Sequence, residues 1–267
     1  MNELVQIQRK PSGKVEPIAP ERREFLKNCL LASPFLVAIV RVAAQQTEGA
    51  ANGEYRPEDH FYGMGIDVSK CIGCGRCADA CKTENDVPRD PRYFRTWIER
   101  YIITTEDETT VSSPNGGIDG FPPAVSEKGI LRTFFVPKLC NQCANPPCVQ
   151  VCPVGATFQT RDGVVLVDED YCIGCGYCIQ ACPYGARFLH PVTHTAEKCT
   201  FCYHRVVNGK IPACVEVCPT GARIFGDMRS MASPLTRFRR FNEITVLKPQ
   251  LNTQPKVYYA NLDGEVS

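Results

Sequence analysis

Apolar positions along this chain come in short runs, and the longest predicts no membrane span. It runs from Cys29 to Val40, about a dozen residues against the roughly 20 that a bilayer-crossing helix needs. From Gly63 to Asp86 the pattern reads strand, loop and short helix. Residues 93–103, YFRTWIERYII, mix β-branched and aromatic side chains and predict a strand with Trp97 on one face. Gly163–Asp168, GVVLVD, predicts another. Residues 45–60 are polar and read as a linker or arm, and residues 104–129 lack periodicity and read as an exposed insertion. Residues 227–267 carry Arg229, Arg237, Arg239 and Arg240 before a polar extended stretch. They read as a tail, either solvated or docking onto a partner.

The middle of the chain repeats itself. CPVGATF, closing at Phe158, and CPYGARF, closing at Phe188, end two copies of one unit, and CPTGARIF, closing at Phe225, repeats the ending a third time. Short strands alternating with loops and short helices give an α+β pattern. The expectation is two pseudo-repeated, bacterial-ferredoxin-like two-cluster modules with loop insertions, together spanning residues 61–226.

The repeats are organised around cysteine. Sixteen of the 17 cysteines fall into four quartets. These are Cys71, Cys74, Cys77, Cys81; Cys140, Cys143, Cys148, Cys152; Cys172, Cys175, Cys178, Cys182; and Cys199, Cys202, Cys214, Cys218. Two residues between cysteines let a tight loop wrap an iron–sulfur cubane. Gly73, Gly75, Gly174 and Gly176 supply the unusual backbone angles such a loop needs. The step of three then places the last cysteine on a short helix facing a neighbouring cluster. Proline after it (Pro153, Pro183, Pro219) stops that helix. In the bacterial ferredoxin run, three thiolates hold one [4Fe–4S] cluster and the fourth reaches the other.

Structural zinc suits only the fourth quartet taken alone, because three cysteines at this spacing plus a fourth are poor tetrahedral geometry. Disulfides are disfavoured because cysteines three apart sit badly for bridging. No CxxCH occurs, which excludes covalent haem attachment.

The crossing of the fourth cysteine pairs the quartets. The second and third are close in sequence and form one module, leaving the first and fourth for the other. Cys71, Cys74, Cys77 and Cys218 then hold the first cluster, and Cys199, Cys202, Cys214 and Cys81 the second. Cys140, Cys143, Cys148 and Cys182 hold the third, and Cys172, Cys175, Cys178 and Cys152 the fourth.

Composition narrows the partners. Twenty Gly and 21 Pro point to loops and turns rather than long helices, and to a fold that leans on its clusters. Net charge is +1, and beyond residue 44 the chain carries 23 basic and 25 acidic residues. A near-neutral body without a basic block argues against nucleic-acid binding. His60, His190, His194 and His204 are scattered and form no catalytic constellation. Tyr203 and His204, beside Cys202, are candidates to donate to a cluster sulfur.

Residues 1–44 read as an export signal. Arg22-Arg23-x-Phe25-Leu26-Lys27 resembles the twin-arginine motif, followed by the short apolar run and by small residues through Ala44. Glu21 stands where Ser or Thr is usual, and the segment before the arginines is long. Cys29, the seventeenth cysteine, lies within this signal. Twin-arginine export carries folded proteins, which suits a cargo that acquires its clusters in the cytoplasm.

The cysteine order, with Cys81-Lys82-x-Glu84-Asn85 replacing Cys-Pro after the first quartet, resembles the four-cluster iron–sulfur subunits of molybdopterin oxidoreductase complexes. Similar patterns occur in the electron-transfer subunits of dimethyl sulfoxide, polysulfide and tetrathionate reductases, and in those accompanying periplasmic nitrite reductase and hydrogenase. The resemblance covers about residues 60–226 and implies the same quartet pairing. It also implies four [4Fe–4S] clusters and an integral membrane partner of the NrfD/polysulfide-reductase type that handles quinone. On the other side stands a molybdopterin catalytic subunit or a multihaem cytochrome. The subunit is then no enzyme by itself, and works at the periplasmic face of the cytoplasmic membrane. The rival reading is a freely diffusing periplasmic polyferredoxin, for which a strongly acidic surface is expected. A cluster-based regulator lacks any nucleic-acid or effector element.

Overall fold

Strand β1 (Tyr62–Asp67) is buried at all six positions, and its sequence, YGMGID, explains how. Met64 and Ile66 point into the main core and are fully buried. The alternate positions, Gly63 and Gly65, leave the other face bare. A Cβ at Gly65 would lie 2.5 Å from the Phe238 ring and one at Gly63 3.0 Å from Leu235, so a helix packs flat on that face.

The structure is a computed structural model that describes residues 55–125 and 129–266. After β1 come α1 (Arg76–Glu84), β2 (Thr96–Thr104), β3 (Thr109–Ser112), β4 (Ile130–Leu139) and α2 (Pro147–Gln150). Then follow β5 (Thr157–Gln159), β6 (Val165–Val167), α3 (Tyr177–Gln180), β7 (Arg187–Leu189) and β8 (Ala196–Lys198). The sequence closes with α4 (Tyr203–Val206), α5 (Ala213–Glu216), β9 (Arg223–Asp227), α6 (Pro234–Phe241), β10 (Ile244–Thr245) and β11 (Val257–Ala260). Short helices beside separate small sheets make the architecture α+β.

Four sheets arise: β10-β11-β1-β9, β3-β2-β4, and the hairpins β5-β6 and β7-β8. In the first, β9 runs antiparallel to β1, pairing Met64 with Phe225, while β11 runs parallel to it, pairing Ile66 with Tyr259. Helix α1 packs on α5, and α2 on α3. The first quartet thus meets the fourth, and the second meets the third. Among the described residues no helix is long and apolar enough to cross a membrane.

The tail is not wholly solvated: Val257 and Tyr259 are fully buried, and the Tyr259 hydroxyl donates to the Pro137 carbonyl at 3.1 Å. Its polar residues hide the pattern, because only the four-residue β11 enters the core. Leu235 and Phe238 of α6 supply the helix that lies on the glycines of β1. Residues 104–129 also differ from a loose insertion. Strand β3 extends the β2 sheet, Gly116 and Gly117 are buried, and Phe121 packs 4.9 Å from Phe135. β3 is mostly exposed on both faces, so no alternation marks it.

The GVVLVD strand is present but shortened to Val165–Val167. From the expected 45–60 linker, Tyr55 is anchored through its hydroxyl to Asp162. Arg22, Arg23, Cys29 and the rest of the expected signal lie outside the described residues.

Candidate metal centres

Each cysteine loop ends in a helix that the sequence starts in one of two ways. In the first and third loops the residue before the helix is a left-handed glycine, Gly75 at φ 71° and Gly176 at φ 75°. In the second and fourth, proline initiates: Pro146 and Pro147 precede Cys148, and Pro212 precedes Cys214. The third cysteine of every quartet lies on its helix, as Cys77, Cys148, Cys178 and Cys214.

The fourth cysteine follows the expectation only at Cys81, which is inside α1. Cys152, Cys182 and Cys218 lie just beyond α2, α3 and α5. The cause is the following proline, which bars the helical region to the residue before it. Lys82 replaces that proline after Cys81, and α1 continues to Glu84.

The sixteen quartet cysteines are unbridged. Cys71, Cys74, Cys77 and Cys218 line one cavity, with Ile98, Ala222 and Arg223 in its wall. Cys140, Cys143, Cys148 and Cys182 line another, with Asn141, Val165 and Arg187. Cys81 is buried facing Cys199, Cys214 and Cys202; burial first, then those neighbours, push its thiol well up. Cys172 and Cys178 share a small apolar core with Cys148. Cys152 accepts from the Thr157 N–H at 3.4 Å and is joined to the third loop through the α2–α3 packing.

These four sets also touch one another in turn. Cys214 feels the charge of Cys77, Cys199 that of Cys140, and Cys148 packs with Cys178. The result is a row that runs from the cavity lined by Cys71 and Cys218 to Cys172 and Cys178 of the third loop. Cys74 and Cys175 are exposed, whereas Cys140, Cys143, Cys199, Cys202 and Cys214 in the middle are buried.

The donor chemistry fits a multi-iron cluster. Among the described residues no group of three or more His, Cys, Asp or Glu converges closely enough for a single ion. Burial pushes the Cys71 and Cys214 thiols up to about 11 and those of Cys143 and Cys199 up to about 12. Such buried thiols ionise readily only against a strong local positive charge, which bound iron supplies. Both cavities contain a buried donor with no protein partner: Arg223 Nη1 in the first and Asn141 Nδ2 in the second. An inorganic sulfide or thiolate sulfur is the acceptor each lacks.

Four buried cations escaped the sequence reading. Arg187 donates through Nη2 to Cys148 Sγ at 3.1 Å. Arg223 donates to Thr96 Oγ1 at 2.7 Å beside Cys71 and Cys77. Lys198 donates to the Val165 and Cys199 carbonyls, and Lys256 to that of Gly163. The GAR shared by two of the three repeat endings was the available signal. By contrast, Tyr203 and His204 reach no sulfur: Tyr203 donates to Asp162 at 2.9 Å, and His204 pairs with Glu84 at 2.8 Å. Asn85 takes the expected place, its Nδ2 lying 3.6 Å from Cys81 Sγ and 3.7 Å from Cys202 Sγ. Trp97 is a packing residue whose Nε1 donates to Glu99.

Comparison with known proteins agrees with this chemistry. A family description reading 4Fe-4S dicluster domain matches residues 131–228, and a second with the same description matches residues 70–156. The tetrathionate reductase B subunit of Salmonella typhimurium is 41% identical over 246 residues, covering 91% of this chain and 88% of that protein. Protein NrfC of Escherichia coli is 42% identical over 209 residues, 77% of this chain and 83% of its own. The B polypeptide of polysulfide reductase from Wolinella succinogenes is 37% identical over 198 residues, 74% of this chain and 92% of its own.

Proposed function

The chain belongs to the family of 4Fe-4S dicluster subunits that includes NrfC and the B components of tetrathionate and polysulfide reductases, and on that premise we propose that it is the electron-relaying subunit of a membrane-associated respiratory oxidoreductase. The observation that carries this reading is the row of four thiol sets running between exposed Cys74 and exposed Cys175. Four [4Fe–4S] clusters, each taking up and releasing one electron, supply the redox chemistry when bound.

The ligand assignment is Cys71, Cys74, Cys77 and Cys218 for the first cluster and Cys199, Cys202, Cys214 and Cys81 for the second. Cys140, Cys143, Cys148 and Cys182 serve the third, and Cys172, Cys175, Cys178 and Cys152 the fourth. The two ferredoxin-like modules are then pseudo-repeats, one built on the α1–α5 contact and the other on α2–α3. The protein's own residues bury the two middle sets from water and place cations and N–H donors beside the sulfurs. Substrate chemistry falls to a partner, a molybdopterin catalytic subunit or multihaem cytochrome, and quinone chemistry to an NrfD-type membrane subunit. The place of work is the outer face of the cytoplasmic membrane, reached by twin-arginine export through Arg22 and Arg23.

Chemical analysis of the purified protein tests the cluster count. About 16 iron and 16 sulfide per chain are expected, and a value near half that sinks the four-cluster assignment. Recovery with a multi-spanning membrane protein after mild detergent extraction supports the fixed-subunit reading. Recovery of the whole pool as a soluble monomer would favour a free polyferredoxin instead.

A further inference from the structure

Arg187 and Arg223 hold the same place in two of the three repeated endings, Cys182-Pro-Tyr-Gly-Ala-Arg187 and Cys218-Pro-Thr-Gly-Ala-Arg223; the third, Cys152-Pro-Val-Gly-Ala-Thr157, has a neutral residue there. We propose that these two arginines are potential-setting residues. Each raises most the reduction potential of the cluster whose cavity it lines, the first cluster for Arg223 and the third for Arg187, while the ending that carries Cys152 has the neutral Thr157 in the same place. The inference rests on the four-cluster assignment above.

The two side chains are 5% and 3% exposed, and among the described residues neither is paired with a carboxylate. Isolating a buried guanidinium in this way is unfavourable unless some other negative charge answers it. The partners that are present say which charge. Arg187 spans Cys148 Sγ at 3.1 Å and Thr157 Oγ1 at 3.4 Å. Arg223 is tethered by Thr96 through Nη2, and its Nη1, without a protein partner, remains in the wall of the cavity lined by Cys71, Cys74, Cys77 and Cys218.

Reduction of a cluster adds one electron and no proton, so its thiolate-ligated core gains one negative charge. A fixed cation against that core, shielded from water, stabilises the reduced form more than the oxidised one. Lys198 lies between Cys140 and Cys199 and acts on both middle sets, so it does not distinguish them. Each arginine lines one cavity and lies against one neighbouring thiol, Arg223 against Cys214 and Arg187 against Cys178, so each acts most on the cavity it lines.

The test is a dithionite titration of the full-length, cluster-loaded protein, followed by electron paramagnetic resonance, with iron counted in every sample. In Arg223→Gln one of the four centres should become at least tenfold harder to reduce, a fall of about 59 mV for a one-electron couple. The other three should move less than half as far. Arg187→Gln should move a different centre. Arg223→Lys and Arg187→Lys, which keep the charge, should restore most of each loss. Fully loaded glutamine variants with four unmoved potentials overturn the inference, as do lysine variants that shift as far as the glutamine ones. If one glutamine variant fails to load iron, the other decides. If both fail while the lysine variants load, the arginines serve cluster retention and the inference is wrong. A wild-type protein that itself lacks the iron for four clusters sinks the underlying assignment, a separate outcome.

Discussion

Cys71 and Cys218 line one cavity although the second and third quartets, and most of the fourth, lie between them in the chain. Sharing a cavity makes their loss non-additive. Cys71→Ala and Cys218→Ala should each cost about a quarter of the iron and extinguish the same paramagnetic signal. The double variant should lose no more than either single one. Combining Cys71→Ala with Cys182→Ala should remove about half. Iron analysis with low-temperature spectra reads the pattern, and a double variant that loses twice the iron would refute the shared site.

The paired glycines before α1 and α3 should respond unequally. Gly176 has φ 75° with nothing within 4 Å of the place a Cβ would take, so alanine there meets only the left-handed backbone penalty, about 1–2 kcal/mol. Gly75 has φ 71°, and its Cβ would lie 2.2 Å from the Gly117 carbonyl oxygen. Gly75→Ala should therefore lower the temperature of cluster bleaching at least twice as far as Gly176→Ala. Equal shifts would show that the 113–122 segment yields without resistance.

Glu84 joins α1 to α4 through His204 at 2.8 Å and Arg205 at 2.7 Å. The His204 hydrogen bond, then that from Arg205, hold its carboxyl below the ordinary glutamate value. A carboxyl depressed in the folded state contributes above its unfolded pKa of about 4.3, and the contribution fades as pH falls through the folded value. Glu84→Gln should cost about 0.5–1 kcal/mol at pH 7. The gap to wild type should shrink as pH falls below about 4.3 and through the lower folded value. Thermal melts at stepped pH measure it; a gap independent of pH would remove the ionised carboxylate from the account.

Tyr259 tests the closing strand. Tyr259→Ala should cost about 3–5 kcal/mol by emptying a fully buried aromatic site. Tyr259→Phe should cost only about 1 kcal/mol, leaving the Pro137 carbonyl without its donor. A Tyr259→Ala variant with wild-type thermal stability would place the tail outside the folding unit.

The cysteine spacing made the thiol sets legible because ligand geometry is local, and the Cys81–Cys199 and Cys71–Cys218 encounters followed from the crossing rule of two-cluster loops. What stayed hidden was long-range. Nothing in the spacing of Val257, Tyr259 and Ala260 announces a parallel partner for β1, since four residues are too few to show a period. The insertion was invisible for a related reason: Gly117 packs by backbone approach to Gly75, which leaves no hydrophobic signature. The burial of Lys198 and Lys256 was not readable because composition cannot show that carbonyls and thiols will surround them. Arg187 and Arg223 were readable in principle, standing in register within the repeat.

The parallel β1–β11 pairing also dictates an order of manufacture. Residues 140–198 contain the second and third quartets together with both hairpins, whose strand pairings are all local, although the second loop also takes backbone bonds from residues 253–256. The flanking module is not local: β1 must wait for β9, which follows Cys218, and then for β11 near residue 260. Non-local closure of this kind is slow. Strand β1, early in the chain, is therefore sealed late, and the cavity between Cys71 and Cys218 stays open until its distant partners arrive.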